Sequence, residues 1–125
     1  MNIKHGMAGL ALAVVAMYAH AAGFYITSYL NGNNYERLSP DARLIYVAGA
    51  IDGMVAGAIN GGGTRWGEQL GRCVTNMQNA QLMAIIDKYL ADNPANWDMQ
   101  MNLLITNAML AACTQRGFPL PGPRP

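Results

Sequence analysis

The chain has 125 residues, a formal net charge of +1, and a composition that is 52% hydrophobic and only 12% charged. That length allows one domain with a modest core. The cations are scattered, which excludes a nucleic-acid site, because such a site needs clustered positive charge to displace counterions from phosphates.

The first residues read as an export signal. Lys4 precedes an apolar run from Met7 to Met17, and Ala19-His20-Ala21 forms a small-residue cleavage site with the cut before Ala22. The run is shorter than the roughly 20 residues needed to span a bilayer. Residues 1–21 are therefore expected to be a cleaved signal peptide, residues 22–118 a single exported domain, and residues 119–125 a proline-rich extended tail. Cleavage removes His5 and His20, the only histidines, and leaves seven basic and seven acidic residues that cancel.

In residues 22–38, Thr27 or Ser28 is placed to cap a short helix carrying Tyr29 and Leu30, stopped by Asn31-Gly32-Asn33. A stronger start signal follows: Ser39 as N-cap, Pro40 at the first helical position, and Asp41 in the first turn. That helix is expected over residues 40–59, ended by Asn60-Gly61-Gly62-Gly63. Leu44, Ile51, Val55 and Ile59 form its apolar stripe. Gly49, Gly53 and Gly57 form a second row, four residues apart, that admits a closely approaching helix. The expected use of this row is tight packing within the chain, with a dimer contact as the alternative.

Residues 61–72 read as a loop. Trp66 is its candidate anchor and Arg65, Glu68 and Arg72 its polar partners, either for a protein partner or, for Trp66, for the chain's own core. Asn79 or Asn76 caps the next helix, over residues 79–91, with Leu82, Ile85, Ile86, Tyr89 and Leu90 inward and Asp87 and Lys88 outward. Pro94 breaks it. Asn96 caps the last helix, to about Gln115, with Trp97, Met101, Leu104, Ile105, Ala108 and Ala112 as its stripe; Gly117 closes it.

These elements define an all-α fold: a small bundle of three main helices plus a short N-terminal helix. The short connection between the last two makes them antiparallel, which brings Cys73 beside Cys113. An even cysteine count in an exported chain reads as a disulfide. With those thiols paired and no histidine left, the mature chain lacks a base for hydrolysis, so an enzyme is not expected, nor any metal or cofactor. Asp52, lone on an apolar helix, is expected to be paired with an Arg or a helix end, since a buried unpaired charge is costly. Met54, Met77, Met83, Met99, Met101 and Met109 read as core packing rather than a copper site.

The run Tyr46-Val47-Ala48-Gly49-Ala50-Ile51-Asp52-Gly53 resembles a motif of the Rap1a/Tai immunity family. Cys73, Gln81-Leu82, Tyr89-Leu90-Ala91-Asp92-Asn93-Pro94, Leu104-Ile105, Ala108-Met109 and Ala112-Cys113 are similar to the rest of its pattern. Leu44-Ile45 stands where many members carry a further cysteine. The resemblance implies a helical periplasmic protein that often dimerises and that neutralises a cell-wall amidase delivered by type VI secretion. An acid-activated helical chaperone of the HdeA type is the alternative, although seven scattered acids offer little to switch it.

Overall fold

The computed structural model describes residues 30–121. The expected signal peptide, the Thr27 or Ser28 cap and the last residues of the tail lie outside the described residues. Among the described residues the fold is all-α, with the elements in the order α1 (Gly32–Glu36), α2 (Pro40–Asn60), α3 (Thr64–Val74), α4 (Asn79–Asp92), a 3₁₀ turn (Pro94–Asn96) and α5 (Met101–Gln115).

Helix α1 occupies the very residues expected to stop a helix. Asn31 is not a terminator but its N-cap, its side-chain oxygen accepting from the Asn34 N–H at 2.9 Å. The segment before α1 pairs with the segment before α5. Gly32 N–H donates to the Met99 carbonyl at 3.2 Å, Asn33 N–H to Trp97 at 2.9 Å, and Met101 N–H to Leu30 at 2.7 Å. Gly32 is required here: a Cβ would lie 2.9 Å from the Trp97 Cα.

Helix α2 begins and ends as its sequence dictates. Ser39 Oγ accepts from the Ala42 N–H at 3.3 Å, Pro40 opens the helix, and Gly61 caps it. Its buried residues are Val47 and Ile51, with Tyr46, Ala50, Met54 and Val55 packed partly against the core. The expected stripe is thus rotated: Ile59, its last member, is 44% exposed.

The largest departure is α3. Residues 64–74 form a helix that lies against α2 and makes a fourth main member of the bundle. Gly67 permits it. A Cβ there would meet Ile59 Cγ1 at 2.9 Å, the Ala58 Cβ at 3.1 Å and the Val55 carbonyl oxygen at 3.1 Å. Close helix approach is indeed built with glycine, but on α3. Around Gly49, Gly53 and Gly57 an added Cβ would meet nothing within 4 Å. Among the described residues nothing packs on that row: the α2 residues that meet Gly67 of α3, Val55, Ala58 and Ile59, lie on another side of the helix.

Helix α4 is capped by Gln78 rather than by Asn79 or Asn76, with Gln81 Oε1 accepting from the Gln78 N–H at 2.8 Å. Asn76 instead turns the chain with φ of 67°. Past Pro94 the chain makes one 3₁₀ turn, so α5 begins at Met101 and Trp97 sits ahead of it. There the Trp97 indole N–H donates to the Leu90 carbonyl at 2.8 Å and closes the end of α4. Met101, Leu104, Ile105, Ala108, Met109 and Cys113 are the buried face of α5. Met101 and Met109 are fully buried, and Met54, Met77 and Met99 pack on the core edge, as side chains that fill irregular gaps.

Cys73 ends α3 and Cys113 lies in the last turns of α5; they form a disulfide with a Cα–Cα distance of 5.6 Å, and both residues are fully buried. Closing a loop with a sequence separation of 40 stabilises the fold by about 4 kcal/mol in the chain-entropy model. The Cys73→Ala/Cys113→Ala chain should lose a comparable amount in urea unfolding, and retention of full stability would contradict this. A paired test separates the glycines. Gly67→Ala should destabilise by about 1–3 kcal/mol through overpacking, whereas Gly53→Ala, facing open space, should stabilise α2 by about 0.5–1 kcal/mol.

Candidate functional site

Residues 61–72 were the expected binding loop, and the structure turns most of them into α3. On a helix their spacing separates them by face. Arg65, Glu68 and Arg72 stand exposed on one side, and Gly67, Leu70 and Cys73 are buried on the other. Trp66 is half-buried and packs against the core cluster, so it anchors α3 to its own domain rather than protruding. Among the described residues Glu68 forms no ion pair with Arg65 or Arg72 within 4.0 Å. The charged groups of this face are free to meet another surface.

Helix α2, packed on α3, has an uncovered side of its own among the described residues. Gly49, Asp52, Gly53, Ala56, Gly57 and Asn60 are exposed, and Ile45 is 72% exposed. An 18-residue window of α2 has a mean hydropathy of 1.5 yet only 11% of it is buried. Length and composition would let this helix cross a membrane; among the described residues it packs on α3 and α4 and keeps one bare side. Asp52 lies on that side. The expected Arg or helix-end partner is not there: among the described residues Asp52 makes no ion pair, and its exposure to water removes the need for one.

The polar centre of the molecule lies elsewhere and carries no sequence motif. Arg43, on the first turn of α2, has its guanidinium 5.2 Å from the centroid of the buried Tyr35 ring. Its Nη2 lies 3.3 Å from Glu36 Oε2 and its Nη1 3.7 Å from Asp87 Oδ1. The Tyr35 hydroxyl donates to Asp87 Oδ1 at 2.8 Å, and Arg43 Nε donates to the Leu38 carbonyl at 3.3 Å. Asp87, expected to face outward, is thus drawn into a clip that joins α1, α2 and α4. The carboxylate spacing of 52 residues from Tyr35 has no local period, so only tertiary contact reveals it. Chemically the cluster positions elements: the phenol is fully buried and each charge already has a partner.

Among the described residues a groove between α4 and α5 is lined by Ile85, Ala108 and Ala112 and by the Lys88–Asp92 ion pair. Gly49, Gly53 and Gly57 thus share the exposed side of α2 with Ile45 and Asp52, while Arg65, Glu68 and Arg72 share an exposed face of α3. Trp66 and the Cys73–Cys113 bridge belong to the interior. No family model, no curated protein and no solved structure matches the chain.

Burial, then the hydrogen bond to Asp87, pushes the Tyr35 hydroxyl well above its ordinary value near 10. A folded-state value raised in this way keeps its stabilisation below the unfolded pKa and loses it as pH climbs through that value. Stability should therefore fall as pH rises above about 10, because the unfolded chain ionises Tyr35 first. In Tyr35→Phe the alkaline slope should flatten, at a cost near neutral pH of about 1–3 kcal/mol for the lost charge-assisted bond. Chemical denaturation at a series of pH values reads both effects.

Proposed function

We infer that the processed chain is a periplasmic binding protein, an immunity factor that neutralises a peptidoglycan amidase delivered by type VI secretion by covering its active site. The observation that carries this reading is the pair of exposed faces on the packed helices α2 and α3. Helix α2 exposes Ile45, Gly49, Asp52, Gly53, Ala56 and Gly57, and α3 exposes Arg65, Glu68 and Arg72, residues of the apolar and polar kinds that a protein interface combines. Two further lines support it. The leader-like first residues and the disulfide fit an oxidising compartment outside the cytoplasm. The Tyr46 to Gly53 run and the residues around Cys73, Tyr89 and Cys113 carry the resemblance to the Rap1a/Tai immunity family.

The same reading assigns the interface arginines most of the rim energy, because Arg is enriched among the few residues that dominate such contacts. Cells lacking the gene should become sensitive to effectors fired by their sisters, and the native chain should restore protection. The Arg65→Glu/Arg72→Glu chain should restore little, while its melting temperature stays near that of the native protein, since both side chains are exposed. Full resistance of the deletion strain, under conditions where the secretion system fires, would retire the immunity role.

A further inference from the structure

Two asparagines of the chain precede a glycine, Asn31 and Asn60. Such a step is chemically special. With no Cβ on the following residue, the glycine amide nitrogen is free to reach the asparagine side-chain carbonyl carbon and attack it. The structure holds the two steps in opposite ways.

At Asn31-Gly32 the groups that must move are engaged. The Asn31 side-chain oxygen accepts from the Asn34 N–H at 2.9 Å, and the Gly32 N–H donates to the Met99 carbonyl at 3.2 Å. Gly32 is buried, and a Cβ there would lie 2.9 Å from the Trp97 Cα. Opening this step means pulling α1 away from the segment that precedes α5. At Asn60-Gly61 both residues are exposed. The Asn60 side chain makes no hydrogen bond among the described residues. Only the Gly61 N–H is held, by the Gly57 carbonyl at 2.8 Å in the last turn of α2. A helix end opens at little free-energy cost, whereas opening a packed segment costs far more, and a reaction of the opened form runs in proportion to its population.

We propose that Asn60-Gly61 is a site of spontaneous covalent modification, and that the packing of α1 shields Asn31-Gly32 from the same reaction. Solvent hydroxide takes the Gly61 amide proton, and the nitrogen bonds to Asn60 Cγ. The Cγ–Nδ2 bond then breaks with a proton from water, so ammonia leaves and a cyclic imide remains. Water opens the imide at either carbonyl, giving aspartate or isoaspartate at position 60, with no change of oxidation state. Both products put a carboxylate at the C-terminal end of α2, where the helix dipole is already negative. Isoaspartate also adds a methylene to the main chain beside a link without slack. A Cβ on Gly61 would meet the Gly57 carbonyl oxygen at 2.9 Å, and one on Gly63 the Ala58 carbonyl oxygen at 3.2 Å. The modification therefore loosens α3 on α2.

The test ages the folded, oxidised chain at mildly alkaline pH and maps it by mass spectrometry after tryptic cleavage. Cleavage after Arg43 and Arg65 gives residues 44–65, in which Asn60 is the only side-chain amide, so an amide-to-acid mass gain there reports Asn60 alone. Asn31 is read from fragment ions of the peptide that ends at Arg37. Conversion at Asn60 should be at least about tenfold faster than at Asn31, give two isomers, and rise with hydroxide concentration. In denaturant the two rates should come within about threefold of each other, because the packing that separates them is gone. Asn60→Gln, whose longer side chain closes the ring poorly, should lack the gain and keep its circular dichroism spectrum. Amide exchange in residues 64–74 should quicken about tenfold in the aged native chain and not in the aged Asn60→Gln chain. Equal rates at Asn31 and Asn60 in the folded chain overturn the proposal. So does an unmodified Asn60 after a time in which the denatured chain converts fully, or a rate difference that persists in denaturant. Complete conversion with unchanged exchange in α3 overturns the effect on the α2–α3 joint.

Discussion

The fold depends on the bond between Cys73 and Cys113. The bundle consists of two helical hairpins, α2 with α3 and α4 with α5, that meet mainly where α2 crosses α4. On the far side α3 and α5 touch little, and there the disulfide joins the last residues of one hairpin to those of the other. Both cysteines are fully buried, so the bond also belongs to the core cluster that holds Leu70 and Met109. A core this small needs such a link, because a short chain buries too little apolar surface to offset its conformational entropy comfortably.

The opposite corner is closed by polar contacts. Arg43 reaches from α2 to Glu36 and Asp87, and Tyr35 reaches from α1 to the same Asp87. Two short elements, α1 and the segment before it, are thereby fixed although neither buries much by itself. Gly32 under Trp97 completes that corner through backbone approach alone. With one corner covalent and the other held by a shared carboxylate, the helices between them form a rigid wall. The function proposed for α2 and α3 requires that rigidity, since ordering a loose surface on binding would consume much of the contact energy.

Glycine plays opposite parts on the two sides of α2. Gly67 on α3 lets Val55, Ala58 and Ile59 approach to van der Waals limits, so the inward side of α2 needs no glycine of its own. Among the described residues the outward row at Gly49, Gly53 and Gly57 meets nothing, although each of those residues lowers helix stability relative to alanine.

Local chemistry determined much of this from the sequence alone. Ser39-Pro40-Asp41 starts α2 and the glycines after Asn60 stop it, because caps and breakers act over a few neighbouring residues. The α4–α5 hairpin and the Cys73–Cys113 bridge were legible for the same reason: clear apolar periods, a short link, two cysteines. What only the tertiary structure decided is where helix depends on a neighbour. Residues 64–74 contain glycines that weaken a helix in isolation, and α3 exists because Gly67 lets it bury Leu70 and Cys73 against α2 and α5. The same holds for Asp87 and Asp52, whose roles reversed. A period tells which residues share a face, but only the packed neighbours tell whether that face meets protein or water.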